Sequence, residues 1–189
     1  MKVRQVVIFS GQTHQVPQCI QRIDHRATHG WQLRYGGTKL FSDHSSDGSG
    51  AAKALDLATK ELLKRIATLP APTRLQRAPS QNKANNLPVG ISGPVVRVRA
   101  GGLVRDCSLA VLIPRFGETP RRRTVYIGTE NTYSVERFDE ALVKAVEMRK
   151  EAEEAYQLAE TRSRRAGAKA LKATRSAKPA AAAAASAAA

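Results

Sequence analysis

Three stretches of this chain put hydrogen-bonding side chains at every second position. They are Gln32/Arg34, Arg97/Arg99 and Arg122/Thr124/Tyr126. In an extended strand, residues two apart share one face. Such a face could read base edges. Arginine can bridge guanine O6 and N7, glutamine can bridge adenine N6 and N7, and each good pair is worth ~1–3 kcal/mol of discrimination. The plainer reading of any one of them is a solvated strand residue. The set gathered on single faces points to a nucleic-acid partner.

A second chemistry is phosphate neutralisation. Arg121 and Arg123 flank Arg122 at a turn-to-strand junction, which reads either as a phosphate clamp or as a solvated hairpin tip. Arg162, Arg164, Arg165, Lys169, Lys172, Arg175 and Lys178 follow near the C-terminus with no acidic residue after Glu160. Seven neutralised phosphates would give a salt slope of about −6 on duplex DNA. The alternative is a solubilising tail.

Other chemistries are poorly supported. His14, His25, His29 and His44 fall in the first third of the chain with Cys19, but no Cys-x-x-Cys accompanies them, and no metal is expected. Asp24 and Asp43 are too isolated for a metal-dependent nuclease. No phosphate loop, nucleophile elbow or nuclease-type His/Asn cluster is present, so neither an enzyme nor a cofactor is expected. Cys19 and Cys107 do not make a disulfide framework, and a reducing cytoplasm is the default location. No apolar run approaches the ~18 residues of a membrane span. Residues 1–12 carry only the short apolar run 6–9, not a signal-peptide core.

The 189 residues hold 31 Lys+Arg against 16 Asp+Glu, a net charge of +15. That surplus is unevenly spread. Residues 1–67 carry +5, residues 68–86 +3, residues 87–160 zero and residues 161–189 +7. The zero conceals a polarity, +5 over 87–127 and −5 over 128–160. Separated signs give a domain a direction, as a binding face requires.

The elements that must position these residues follow a repeated plan. Val16-Pro17-Gln18-Cys19-Ile20 reads like Leu87-Pro88-Val89-Gly90-Ile91, and Leu55-Asp56-Leu57-Ala58 like Phe138-Asp139-Glu140-Ala141. The expected fold class is α+β: two small modules, each a three-stranded antiparallel sheet packed on one amphipathic helix. The modules span 1–67 and 87–166, with a Pro/polar linker at 68–86 and a disordered Ala/Lys-rich tail at 167–189. Strands are predicted at 20–26, 30–35 and 38–42, then at 95–99, 107–115 and 121–127. Residues 2–9 are a further strand candidate. Gly36-Gly37 signals a tight hairpin. Trp31, Leu33 and Tyr35 should face the core, whereas the third strand is ambiguous between Lys39/Phe41 and Leu40 pointing outward. The first helix is predicted over 51–67 with Leu55, Ala58, Leu62 and Ile66 inward. The second is predicted from an N-cap at Ser134 to about residue 165, with Val135, Phe138, Leu142, Ala145 and Val146 inward.

Tyr126-Ile127-Gly128-Thr129, followed by a helix carrying Phe138, Glu140-Ala141-Leu142 and Ala145, resembles the third strand (Trp-Leu-Gly-Thr) and helix of the APETALA-two/ethylene-response-factor DNA-binding domain. Trp31-Gln32-Leu33-Arg34 resembles that family's second-strand Ala-Glu-Ile-Arg. The resemblance covers roughly 16–67 and 87–156, as a tandem bacterial or phage version. It departs at Ala110 and Leu112, where polar groups are expected, in an unusually long second hairpin, and in the absence of Gly-Thr after the third strand of the first module. The tail resembles the Lys/Ala/Pro-rich arms of linker histones. The resemblance implies a sheet that enters the major groove of duplex DNA.

The expected function is therefore a double-stranded DNA-binding protein, a transcriptional regulator or nucleoid-associated factor. The sheet faces (Gln32, Arg34, Arg97, Arg99, Arg122, Thr124, Tyr126) would read DNA, and Arg121, Arg123 and the tail would contact phosphates. RNA binding is one alternative. A phage or bacterial interaction module docking an acidic partner is another, and the long helix 134–165 offers a route to a homodimer.

Overall fold

The computed structural model describes residues 1–98, 102 and 104–186, with side chains described as far as residue 175. Among the described residues, two helices and three antiparallel sheets of two, three and three strands make an α+β protein. The chain forms two compact units. Unit 1 comprises Met1–Pro72 with Glu160–Ala189, and unit 2 comprises Thr73–Ala159.

Unit 1 opens with a hairpin of β1 (Val3–Val7) and β2 (Thr13–Pro17), paired from Val3↔Pro17 to Val7↔Thr13. The sequence suggests only its first strand. Its turn is closed by the Gly11 N–H on the Ile8 carbonyl, and Ile8 and Val16 enter the core. β3 (Ile20–His25), β4 (Thr28–Arg34) and β5 (Thr38–Ser42) form a meander. Gly36 and Gly37 turn β4 into β5 at φ values of 59° and 109°, which side chains disfavour. The sheet lies on α1 (Ala51–Thr68), whose Leu55, Ala58, Leu62 and Ile66 are buried as the helical spacing predicts. Trp31, Leu33 and Tyr35 are inside as expected. The Trp31 indole donates to the Ala51 carbonyl at 2.8 Å, tying sheet to helix.

In unit 2, β6 (Ile91–Val98), β7 (Arg105–Ile113) and β8 (Arg121–Thr129) repeat the meander. Bulges interrupt the pairing between Ser92 and Val95 and between Cys107 and Ser108. The sheet packs on the first part of α2 (Val135–Ser186). Ser134 caps this helix through its hydroxyl, which accepts from the Arg137 N–H at 3.3 Å. The buried stripe is rotated from the predicted one. Ala141 and Ala145 are inside with Phe138, Leu142 and Met148 against them, whereas Val135 and Val146 are exposed. Arg149 takes the next inward position, 8% exposed.

α2 runs on through the first part of the expected tail. Residues 167–175 are helical rather than disordered, and Ala168 is buried in the core of unit 1. Alanine, lysine and arginine are strong helix formers, and a docked alanine adds the packing that a solvated helix lacks.

Candidate nucleic-acid interface

Strand pairing settles which residues share a face. In unit 1, Ile20, Leu33 and Lys39 form one cross-strand row and Arg22, Trp31 and Phe41 another, both on the side of the helix. The opposite side carries Gln21, Gln32 and Leu40 in one row, Ile23, Gly30 and Ser42 in the next, and Arg34 beside Thr38. Leu40 thus points outward, 43% exposed, which resolves the ambiguous register. Gln32 and Arg34 sit together on this outer face, the Arg34 Nε donating to Gln32 Oε1 at 2.6 Å.

Unit 1 pairs part of its strand charge internally. Arg22 forks onto Asp43, with Nη1 to Oδ1 at 3.0 Å and Nη2 to Oδ2 at 2.6 Å, and its Nε donates to Asp24 at 2.9 Å. The guanidinium lies 5.0 Å from the Trp31 ring centroid. His29 meets Asp24 at 2.9 Å. Desolvation pushes the Asp24 carboxyl up, but the hydrogen bonds from Arg22 and His29 outweigh it and hold the group below its ordinary value. The histidines do not converge. His25 pairs with Thr28 while His29 is bonded to Asp24, and among the described residues no cluster of three ligating side chains occurs.

In unit 2 the outer face carries Arg97, Arg122, Thr124 and Tyr126, as the alternation predicts. Arg122 lies across from Leu112, Thr124 from Ala110, and Tyr126 from Ser108. Arg97 lies across from Asp106. Arg99 lies outside the described residues. Arg121 and Arg123 pair with Ile113 and Val111 and so alternate to the helix side of the sheet, where both are exposed. The three arginines therefore do not form one cluster. At the Arg122 end, the polar segment after α1 contributes a wall. Pro79, Ser80 and Lys83 line a cavity of about 240 Å³ together with Ala110, Leu112 and Arg122. Lys83 is anchored there, its ammonium donating to the carbonyls of Leu87, Pro88 and Ile91 at 2.5, 2.7 and 2.9 Å.

The basic residues of late α2 fall into two sets that share Arg165. Arg164 donates to Gln18 Oε1 at 2.9 Å, Arg165 reaches the Ile66 carbonyl at 3.4 Å and Arg175 pairs with Asp56. Arg162, Arg165, Lys169 and Lys172 recur at i, i+3, i+7 and i+10 and are exposed, making one cationic row along the helix. The side chain of Lys178 lies outside the described residues. That row is invisible to a reading of the segment as coil. Two further cations, Lys2 and Arg4 of the β1 region, come beside Arg34 in a shared cavity, although no local pattern links them.

No family model, curated protein or solved structure matches this chain. Among the described residues no helix is long and apolar enough to cross a membrane.

Proposed function

We propose that the chain binds double-stranded DNA, as a transcriptional regulator or nucleoid-associated factor. The outer faces of its two three-stranded sheets are the reading surfaces, and the cationic row of α2 contacts phosphates. The observation that carries this reading is the segregation within unit 2. Arg97, Arg122, Thr124 and Tyr126 share the outer face, while Glu136, Asp139, Glu140 and Glu147 belong to the helix on the other side of the sheet. A polyanion is drawn to the outer strip of Arg122, Thr124 and Tyr126 and away from the acidic residues of the helix, although Arg121 and Arg123 stand on the helix side and Asp106 lies across from Arg97 on the outer one. The resemblance to the APETALA-two/ethylene-response-factor domain points the same way, and a β-ribbon suits the major groove.

Selection of the full chain against random duplexes tests the proposal. The expected result is an enriched motif together with a steep salt dependence. Replacing Arg162, Lys169 and Lys172 with Ala should lower the salt slope by about 2–3 while leaving the motif unchanged. A flat enrichment profile would instead indicate sequence-indifferent compaction. Tighter binding to structured RNA than to duplex DNA at equal salt would overturn the reading.

A further inference from the structure

A second cavity of about 410 Å³ lies in unit 1, lined by Lys2, Val3, Arg4, Gln18, Cys19, Ile20, Gln21 and Arg34. Three of its eight lining side chains are cations and none is a carboxylate. They come from separate parts of the chain, Lys2 and Arg4 from the β1 segment and Arg34 from the end of β4. The fold has therefore brought like charges together, which costs energy unless an anion offsets them.

Elsewhere in unit 1 the guanidinium groups of Arg22, Arg65 and Arg175 each meet a carboxylate. Among the described residues, Lys2, Arg4 and Arg34 have no such partner. The two guanidinium heads are nonetheless oriented. The Arg4 Nη2 donates to the Ile20 carbonyl at 3.2 Å and the Arg34 Nε to Gln32 Oε1 at 2.6 Å, so each fork keeps further N–H groups for a ligand. Gln18 is held by Arg164 at 2.9 Å, and the Arg164 charge is felt at Cys19. That guanidinium is itself paired with Glu160 at 3.4 Å.

From this geometry we infer that the cavity is a phosphate-binding site, with Lys2, Arg4 and Arg34 as its charged ligands and the Gln18 and Gln21 amides as its neutral ones. Forked guanidiniums match phosphate oxygens two at a time, and an ammonium adds a mobile point charge. The volume admits a phosphate with the group esterified to it. Gln21 and Arg34 also belong to the outer face of the sheet. A phosphate of a bound nucleic-acid strand and a free phosphate ester are therefore the two sources of this chemistry.

The test uses the full chain and inorganic pyrophosphate, followed by backbone amide shifts. The expected result is a saturable shift at residues 2–4, 18–21 and 34, with those of β6–β8 unmoved. Lys2→Ala removes an exposed side chain with no hydrogen bond among the described residues and should weaken binding about 3- to 10-fold, whereas Lys2→Ala/Arg4→Ala should abolish it. An unsaturable response, or the same affinity in Lys2→Ala, overturns the inference. A duplex titration of the same variants separates the sources. A salt slope lowered by about 1–2 assigns the phosphate to the nucleic-acid backbone, and an unchanged slope with lost pyrophosphate binding assigns it to a free ester. A chain that binds pyrophosphate here but no duplex defeats the DNA proposal alone.

Discussion

Both units set a residue at positive φ just before the first strand of the three-stranded sheet, Cys19 at 77° in unit 1 and Gly90 at 75° in unit 2. Each carbonyl then accepts from the end of the second strand, from the Arg34 N–H at 2.8 Å and from the Leu112 N–H at 2.7 Å. The repeat seen in the sequence is thus a repeat of backbone geometry. What differs is the space beside it. A Cβ on Gly90 would meet Arg149 Nη1 at 2.6 Å. Arg149 occupies the helix position that Ile66 fills in unit 1, and it is held by Glu153 at 2.6 Å and by the Leu112 carbonyl. Unit 1 closes the same corner with Arg65 on the carbonyls of Tyr35 and Gly37, at 2.9 and 3.0 Å, and keeps Ile66 apolar. One backbone plan therefore accepts two packings, provided the small residue and the large one are exchanged together.

The two units also dispose of charge differently. Unit 1 buries one strand arginine, Arg22, whose side chain is 7% exposed against a fully buried Asp43, and leaves Arg4 and Arg34 exposed. Unit 2 leaves Arg97 and Arg122 on the outer face.

Four substitutions or conditions would break this comparison. The largest effect is expected from Asp43→Ala, which strands Arg22 in the interior with Asp24 alone and should cost unit 1 about 3–5 kcal/mol. The single tryptophan, Trp31, lies in that unit, so its fluorescence during denaturant unfolding reports the loss. Next comes Gly90→Ala. It combines a disfavoured φ with displacement of Arg149 and should destabilise unit 2 by about 2–3 kcal/mol, read as faster alkylation of the buried Cys107. An unchanged rate would mean that the Gly90–Arg149 exchange is not what separates the two packings. Third, Arg122→Ala should relax base preference by about 1–3 kcal/mol at one position of the selected site with stability unaltered, since the side chain is exposed. The smallest effect concerns Asp24. Its carboxyl is held below the ordinary value, so its stabilising contribution is complete above about pH 4 and is lost as pH falls through the folded value. Melting temperatures of the wild type and Asp24→Asn should therefore differ at pH 5 and converge at acid pH.

Much of this was legible locally. The alternation of Trp31/Leu33 against Gln32/Arg34, and of Val125/Ile127 against Thr124/Tyr126, assigned the faces of both sheets correctly, because a strand has period two wherever it lies. Helical spacing did the same for α1. It failed by part of a turn in α2, where Val146 looks better buried than Arg149. Hydropathy does not see that a guanidinium between Glu153 and the Leu112 carbonyl is satisfied. Composition misread residues 167–175, because a segment too polar to make its own core can still dock one alanine into another.

The sequence by itself determined the two-module α+β plan, the faces of the strands and the unequal spread of charge, all of which follow from short-range periodicity and residue type. Only the tertiary structure decided the register of Leu40, the separation of Arg122 from Arg121 and Arg123, and the gathering of Lys2 and Arg4 beside Arg34. Those outcomes depend on which distant segments pair. That choice is made by burial summed over a whole core, not by any one stretch of residues.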